Sequence, residues 1–349
     1  MSSDNPPKHQ YNGIQVLRFV AASMVTIYHS FIYYDNLSGT PIKFHDYFDP
    51  GLLSRGVAIF FVISGFIMAM SAERLSIGKF LWHRALRIYF GYIAAIAIAV
   101  AAKTAVFGSY PMQLISFKSV SLLPFGEIGY PLGVEWSLVY EIAFYAVIAV
   151  LIALRYPAVR IAVMLVWMVA IMAFGGESTH LLPSASQILL SQYNLGFIAG
   201  YFCWHLKGMG VGRFRDFFIL GITLLLGDLI ITWPLMRELF VVAGASLIVL
   251  GASDPQFSGR FSADHALVRW GNASYGLYLM HVTILGCVYA GSGQHGLGIY
   301  LTGLLMALAG GIFFGSCEFT LYQRLKRLID TRRKLVATPA VVDKKPVTL

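Results

Sequence analysis

The sequence predicts an all-α integral membrane protein: a bundle of about ten transmembrane helices with both termini in the cytoplasm. Three observations predict it. First, the 349 residues are 57% hydrophobic and only 12% charged, and the mean hydropathy is +0.69. A water-soluble domain carries about 25% charged residues, so this chain lacks the polar surface to face water. Second, its apolar residues fall in runs of the length that a bilayer demands, about 20 residues each. Third, its basic residues gather in alternate loops, the asymmetry that orients a polytopic protein.

In chain order the expected spans are 14–34, 53–71, 88–108, 134–154, 158–175, 186–204, 216–233, 236–253, 272–291 and 297–317. The first run holds Arg18 and His29 and is longer than the apolar core of a cleaved signal peptide, so it is expected to be retained. Trp233-Pro234 marks a short turn between the seventh and eighth runs. With the N-terminus inside, 21 of the 26 Lys and Arg residues fall on the cytoplasmic side. Lys43, Arg55, Lys103, Lys118 and Arg237 fall outside. The chain therefore divides into a cytoplasmic segment 1–13, a transmembrane domain 14–320 and a basic cytoplasmic tail 321–349 expected to lie on anionic lipid. The outer loop 109–133, with Pro111, Pro124 and Pro131, reads as ordered or partly re-entrant, because irregular backbone at membrane depth must be buried in protein.

The net charge of +9 is read as topology and not as a nucleic-acid footprint. Cys203, Cys287 and Cys317 form neither a disulfide framework nor a metal-ligand pattern. No metal and no bound cofactor is expected, and no phosphate-binding glycine motif is present.

An ionisable side chain within a span costs several kcal/mol (about 2.5–3.5 on insertion scales) and marks a functional position. Arg18, His29, Glu141, Asp228 and His281 meet this condition. Arg18 and His29 are eleven residues apart, three turns plus about 20°, so they share a helix face about 16 Å apart along the axis. His29 suits a general base that strips a proton from a hydroxyl; a packing histidine is the alternative. Arg84 and Arg87, at i and i+3, share a face near His83 and Lys79, where two guanidiniums either grip phosphates or anchor the inner side. Ser137, Glu141 and Tyr145 form a polar stripe down the fourth span, behind Trp136 and Tyr140, which suit the membrane interface or a sugar ring. Glu135 points away from Glu141 and is expected in the outer loop. In the ninth span, Asn272 reads as the helix cap, and Ser274, Tyr278 and His281 lie on one side. His281 reads as a supporting residue. Asp228 has no evident partner, with Lys103 one option. Gly311 and Gly315 read as packing positions.

Five blocks in order resemble the membrane-bound acyltransferase-3 family, which includes bacterial O-acetyltransferases of exopolysaccharide, O-antigen and peptidoglycan. They are Val16 to Ala22 with His29-Ser30, Gly56 to Phe66, Arg84 and Arg87 with Ile88-Tyr89, Trp136-Ser137-Leu138 with Glu141 and Phe144-Tyr145, and Ser274 to Leu279 with His281. The resemblance implies ten membrane helices, location in the bacterial inner membrane and acetyl-coenzyme A as co-substrate. It implies His29 as catalytic residue with Arg18, Glu141 as an active-site carboxylate, and Arg84 and Arg87 at the acyl-donor site. The expected reaction moves an acyl group, acetyl above all, from cytoplasmic acyl-coenzyme A to a hydroxyl of an exopolysaccharide or lipid-linked glycan. His29 would act as base and Glu141 would orient it; Ser137, Tyr140 and Tyr278 are candidates to hold the oxyanion, and Trp136 and His281 support the acceptor side. Polysaccharide-synthesis machinery is the expected partner. The rival reading is a saccharide transporter, which paired broken helices or an internal repeat would favour; neither is visible in the sequence.

Overall fold

The computed structural model describes residues 11–38, 49–126, 128–175, 182–207, 213–292 and 295–337, the side chains of the last segment as far as Thr331. Among these residues the chain forms ten helices of at least 13 residues and no strand. They are α1 (Asn12–Ser38), α2 (Gly56–Ala72), α3 (Ile77–Phe107), α4 (Trp136–Ala153), α5 (Pro157–Phe174), α6 (Asn194–Leu206), α7 (Phe214–Gly227), α8 (Pro234–Ser253), α9 (Ala266–Gly291) and α10 (Leu297–Ala337). Eight of them are long and apolar enough to cross a membrane, while α6 and α7 fall short of that length. Each predicted span overlaps one of these helices, eight of which have the length and apolarity of a membrane span. Large apolar side chains are turned outward on α5, α7 and α10, such as Val166, Phe174, Ile219, Leu305 and Phe313, as suits a face toward lipid.

Small residues set the helix spacing, since tight packing does the work that hydrophobic exclusion cannot do in lipid. A Cβ on Gly65 of α2 would strike the carbonyl oxygen of Phe197, and one on Gly200 of α6 would strike that of Val62. The two backbones therefore touch reciprocally. Gly315 of α10 approaches the carbonyl of Ala273 in the same way, which bears out its reading as a packing position. On the other side of α9, Gly271 lies against the backbone of Gln15. Helix α1 is thus wedged between α2 and α9, with Ala21 and Ala22 buried in the seam.

Several boundaries differ from the sequence reading; three helices continue past the hydrocarbon into the headgroup zone, where basic residues are at home. Helix α3 starts at Ile77, so Arg84 and Arg87 lie within it. Helix α9 starts at Ala266, capped by His265 Nδ1, which accepts from the Leu267 amide at 3.2 Å; Asn272 is not the cap. Helix α10 runs 41 residues through the expected tail boundary at 321. In contrast, α6 begins only at Asn194, and α7 ends at Gly227 before a short 3-10 turn, Asp228–Ile230.

The loop between α3 and α4 is ordered where it is described. Tyr89 and Tyr92 of α3 donate to the carbonyls of Ser121 and Ser119 at 2.5 and 3.1 Å. Lys103 donates to the Pro131 carbonyl at 3.3 Å, so it does not serve Asp228. Glu135 is not in the outer loop's solvent: it is 0% exposed. From the cap position of α4 its carboxylate turns back to accept from the amides of Leu132 and Val134 at 2.7 and 2.9 Å. Gly133, at φ +87°, provides the left-handed turn that closes this ring. Asp228, also 0% exposed, bonds Arg55 and Arg237, tying the start of α2 to the α7–α8 turn. Helical phase misplaced Glu135 and offered no true partner for Asp228, because it says nothing of which loop or helix lies beside a residue.

Two changes test this packing. Gly65→Leu is expected to abolish recovery of a monodisperse peak in detergent. Glu135→Ala leaves two buried amides without acceptors and is expected to remove about 2 kcal/mol or more, read as a lowered Tm of the solubilised protein, with Glu135→Gln intermediate.

Candidate active site

Because α1 is held at the centre of the bundle, its polar face looks inward, and Arg18 and His29 open onto different cavities. The first lies toward the end at which α1, α3 and α9 begin. It encloses about 820 Å³ of empty space, open solvent included, and is lined by Arg18, Arg84, Arg87, Glu141, Tyr145 and Tyr278 among others. The second opens toward the end at which α2, α4, α6 and α8 begin, and is lined by His29, Tyr28, Arg55, Trp136, Tyr193 and Glu238 among others. Val57 and Phe61 of α2 line both, so the partition between them is one side chain thick.

The first cavity is rich in positive charge. Arg87 Nη1 donates to both carboxylate oxygens of Glu318 at 2.8 and 3.0 Å, and its guanidinium lies 4.8 Å from the Tyr275 ring centroid. Arg84 donates to Ser71 Oγ at 2.8 Å, and its buried Nε has no acceptor. Arg18 donates to Gln15 Oε1 at 3.3 Å. Glu141 Oε1 accepts from Tyr145 at 2.5 Å and from Ser64 at 3.2 Å. Three guanidiniums therefore face one cavity carboxylate, with Glu318 holding only Arg87. The Ser274 hydroxyl on the same wall also lacks a partner. Such a surplus of donors fits a polyanion.

The second cavity contains His29. His29 Nδ1 is 3.0 Å from His281 Nε2 and 3.1 Å from the Val25 carbonyl. His281, 0% exposed, turns its own Nδ1 to the Tyr278 carbonyl at 2.7 Å. A carbonyl only accepts, so His281 Nδ1 carries the proton and its Nε2 is left to accept. The same logic puts the His29 proton on Nδ1, donated to His281, and leaves the His29 Nε2 lone pair for the cavity. Tyr278 joins the two sites: its hydroxyl, 2.7 Å from Ser137 Oγ, borders the first cavity, and its ring centroid is 5.7 Å from that of His281.

The structure thus brings together Arg18, Arg84, Arg87, Glu141, Ser137 and Tyr278 at one cavity, and His29 and Trp136 at the other, with His281 buried behind His29. It does not bring Glu141 to His29. The expected carboxylate–imidazole bond is replaced by an imidazole–imidazole bond, because Glu141 looks across α4 to Ser64 of α2. Tyr140 is fully buried behind Trp136 and lines neither cavity. Glu318, Arg55 and Glu238 were missed. Glu318 lies one residue beyond the predicted tenth span, and the same rule on ionisable groups finds it once α10 is extended.

Apolar helices around two polar cavities define a multi-pass membrane protein with charge-bearing chemistry at both ends of its bundle. The chain belongs to the acyltransferase-3 family, whose acyltransferase domain matches residues 11–316. It is therefore a membrane acyltransferase. It is also similar to the exopolysaccharide production protein ExoZ of Rhizobium meliloti (strain 1021), at 29% identity over 296 residues, covering 78% of this chain and 88% of that protein. No solved structure matches it.

The Arg87–Glu318 pair predicts a specific double-mutant outcome. Arg87→Ala strands a buried carboxylate and is expected to cost about 3–5 kcal/mol, while Arg87→Ala with Glu318→Ala recovers much of that loss; thermal unfolding of the solubilised variants reads both.

Proposed function

We propose that the protein transfers an acyl group, acetyl above all, from acyl-coenzyme A to a hydroxyl of an exopolysaccharide or its lipid-linked precursor. It works in the bacterial inner membrane, with both termini cytoplasmic, alongside the machinery that builds the polymer. The observation that carries the reading is the His29–His281 pair, which leaves the His29 Nε2 lone pair directed to a cavity separated by one side chain from a cluster of three guanidiniums. The family membership supports acyl transfer, and the name of the ExoZ relative supports the polymer class.

In this mechanism the donor's phosphates bind Arg18, Arg84 and Arg87 from the cytoplasmic side, as bidentate guanidiniums do. Its pantetheine arm passes Val57 and Phe61 and brings the thioester to His29. The acceptor hydroxyl enters from the other cavity. His29 Nε2 takes its proton as the oxygen attacks the thioester carbonyl. The imidazolium is steadied by the Nδ1 hydrogen bond to His281, which is itself anchored on the Tyr278 carbonyl. The tetrahedral intermediate collapses, the C–S bond breaks, and the thiolate recovers the proton from His29. Glu141 balances Arg18 in the donor cavity, where an unopposed cluster of cations would repel itself.

The test is transfer of labelled acetyl from acetyl-coenzyme A to polysaccharide by purified protein in lipid nanodiscs. His29→Ala is expected to lower kcat about 10²–10⁴-fold; a normally inserted variant working at the parental rate sinks the mechanism. His281→Ala is expected to lower kcat with little change in donor KM, because it frees the tautomer without touching the donor cavity. Val57→Trp is expected to stop transfer while leaving coenzyme A binding by calorimetry intact.

A further inference from the structure

Beside the arginine cavity, the N-terminal part of α3 packs against the C-terminal part of α10, and the seam between them carries charges that the mechanism above does not use. From α3 come Arg87, His83 and Lys79, and from α10, which runs the other way, come Glu318, Tyr322, Lys326 and Asp330, both series at four-residue steps. The Arg87–Glu318 pair closes the inner end of the seam, with the Arg87 guanidinium 5.3 Å from the ring centroid of buried Tyr322. At the rim, Lys326 is half-buried and within electrostatic reach of Lys79, Arg84 and Asp330. His83 Nε2 is buried without a hydrogen-bond partner, 3.7 Å from Asp330 Oδ1. Neither Lys79 nor Lys326 has a hydrogen bond or close ion pair among the described residues. Glu73 and Arg74, the charges that end α2, face Trp204 instead.

The charges of cavity and rim do not cancel. Arg18, Arg84 and Arg87 meet Glu141 and Glu318, and the rim sets Lys79 and Lys326 against Asp330, so five cations face three carboxylates. A phosphate monoester carries about −1.5 to −2 charges at pH 7, which answers a surplus of that size, and lysine binds phosphate as a point charge. Lys79 lies eight residues from Arg87, about 12 Å along α3 at 1.5 Å per residue. One phosphate cannot serve both places; a molecule that fills both carries two separated phosphoryl groups. Coenzyme A is such a molecule, with a diphosphate on the ribose 5′ oxygen and a monoester on the 3′ oxygen. We propose that Lys79, His83 and Lys326 form a rim site for the 3′-phosphate of the donor, so that the protein distinguishes coenzyme A from 3′-dephospho-coenzyme A. This rests on the reading of the first cavity as the acyl-coenzyme A site. A lipid headgroup offers the same phosphate chemistry, but the rim lies between two helices and adjoins Arg84, which lines the cavity.

The experiment compares coenzyme A with 3′-dephospho-coenzyme A on purified full-length protein in nanodiscs of phosphatidylcholine, with and without phosphatidylglycerol. Binding is read by calorimetry, and transfer of labelled acetyl from the two acetylated forms is read separately. In phosphatidylcholine the parent is expected to bind coenzyme A about 10–100-fold more tightly, the worth of hydrogen bonds to a charged group. Lys79→Ala with Lys326→Met is expected to lose most of that ratio, whereas a merely structural role would weaken both ligands alike. Asp330→Asn removes a competing carboxylate and is expected to raise the ratio several-fold. Equal binding of the two coenzymes by the parent, or an unchanged ratio in the double variant, overturns the site. A preference that appears only with phosphatidylglycerol also overturns it, since the lysines then answer to lipid. If the parent prefers coenzyme A through these lysines yet transfers no acetyl, the site stands and the proposed reaction fails. If it transfers acetyl equally well from both donors, the reaction stands and the site fails.

Discussion

Within the hydrocarbon there is no water to satisfy a polar group, and every part of this bundle is arranged around that constraint. Glu135 closes onto two amides, Asp228 onto two guanidiniums, and Glu318 onto one. These acids make their bonds within the protein and act as clamps. The residues that open onto cavities are of another kind. His29, Arg18, Arg84 and Glu238 keep hydrogen-bonding capacity that the described residues do not fill, and they line the two polar cavities. The division between clamp and site thus follows from where the hydrogen bonds end and not from residue type.

Close helix packing makes the division possible. The glycines of α2, α6, α9 and α10 let backbones touch, and the side chains left over at the seams line the cavities. His281 illustrates the coupling. It is buried on α9, its proton is fixed by the carbonyl of its own helix at Tyr278, and it thereby fixes the proton of His29 on α1. A neutral chain of hydrogen bonds orients the His29 ring here, as an ionised acid orients the histidine of a triad. It avoids the cost of burying a charge beside His29.

Much of this was legible in the sequence. Length and run spacing gave a helix at each of the ten expected positions, and the polar interruptions in the first, fourth and ninth runs marked residues that do line cavities or support them. The eleven-residue spacing of Arg18 and His29 correctly predicts one helix face, but only the fold reveals that this face meets two separate hollows. Periodicity within a helix is blind to which helices are neighbours, so the His29–His281 pair, the turn of Glu141 toward Ser64 and the Asp228 partners lay beyond it. Glu135 was misread because helical phase does not apply to a residue at the cap, whose side chain folds back on its own loop. Helix ends were misread because arginine and histidine looked like loop residues, although they suit the part of a helix that leaves the hydrocarbon.

The thinness of the wall formed by Val57 and Phe61 has an electrical consequence. When polar hollows enter a bilayer from opposite ends, most of the transmembrane voltage falls across the short insulating stretch between them. Each elementary charge crossing that stretch exchanges about 2.3 kcal/mol with the field per 100 mV. A neutral acyl group exchanges none. A donor whose phosphates stay on the arginine side and a product that leaves uncharged on the other would make the traffic electroneutral, so the energised state of the cell would neither drive it nor hold it back.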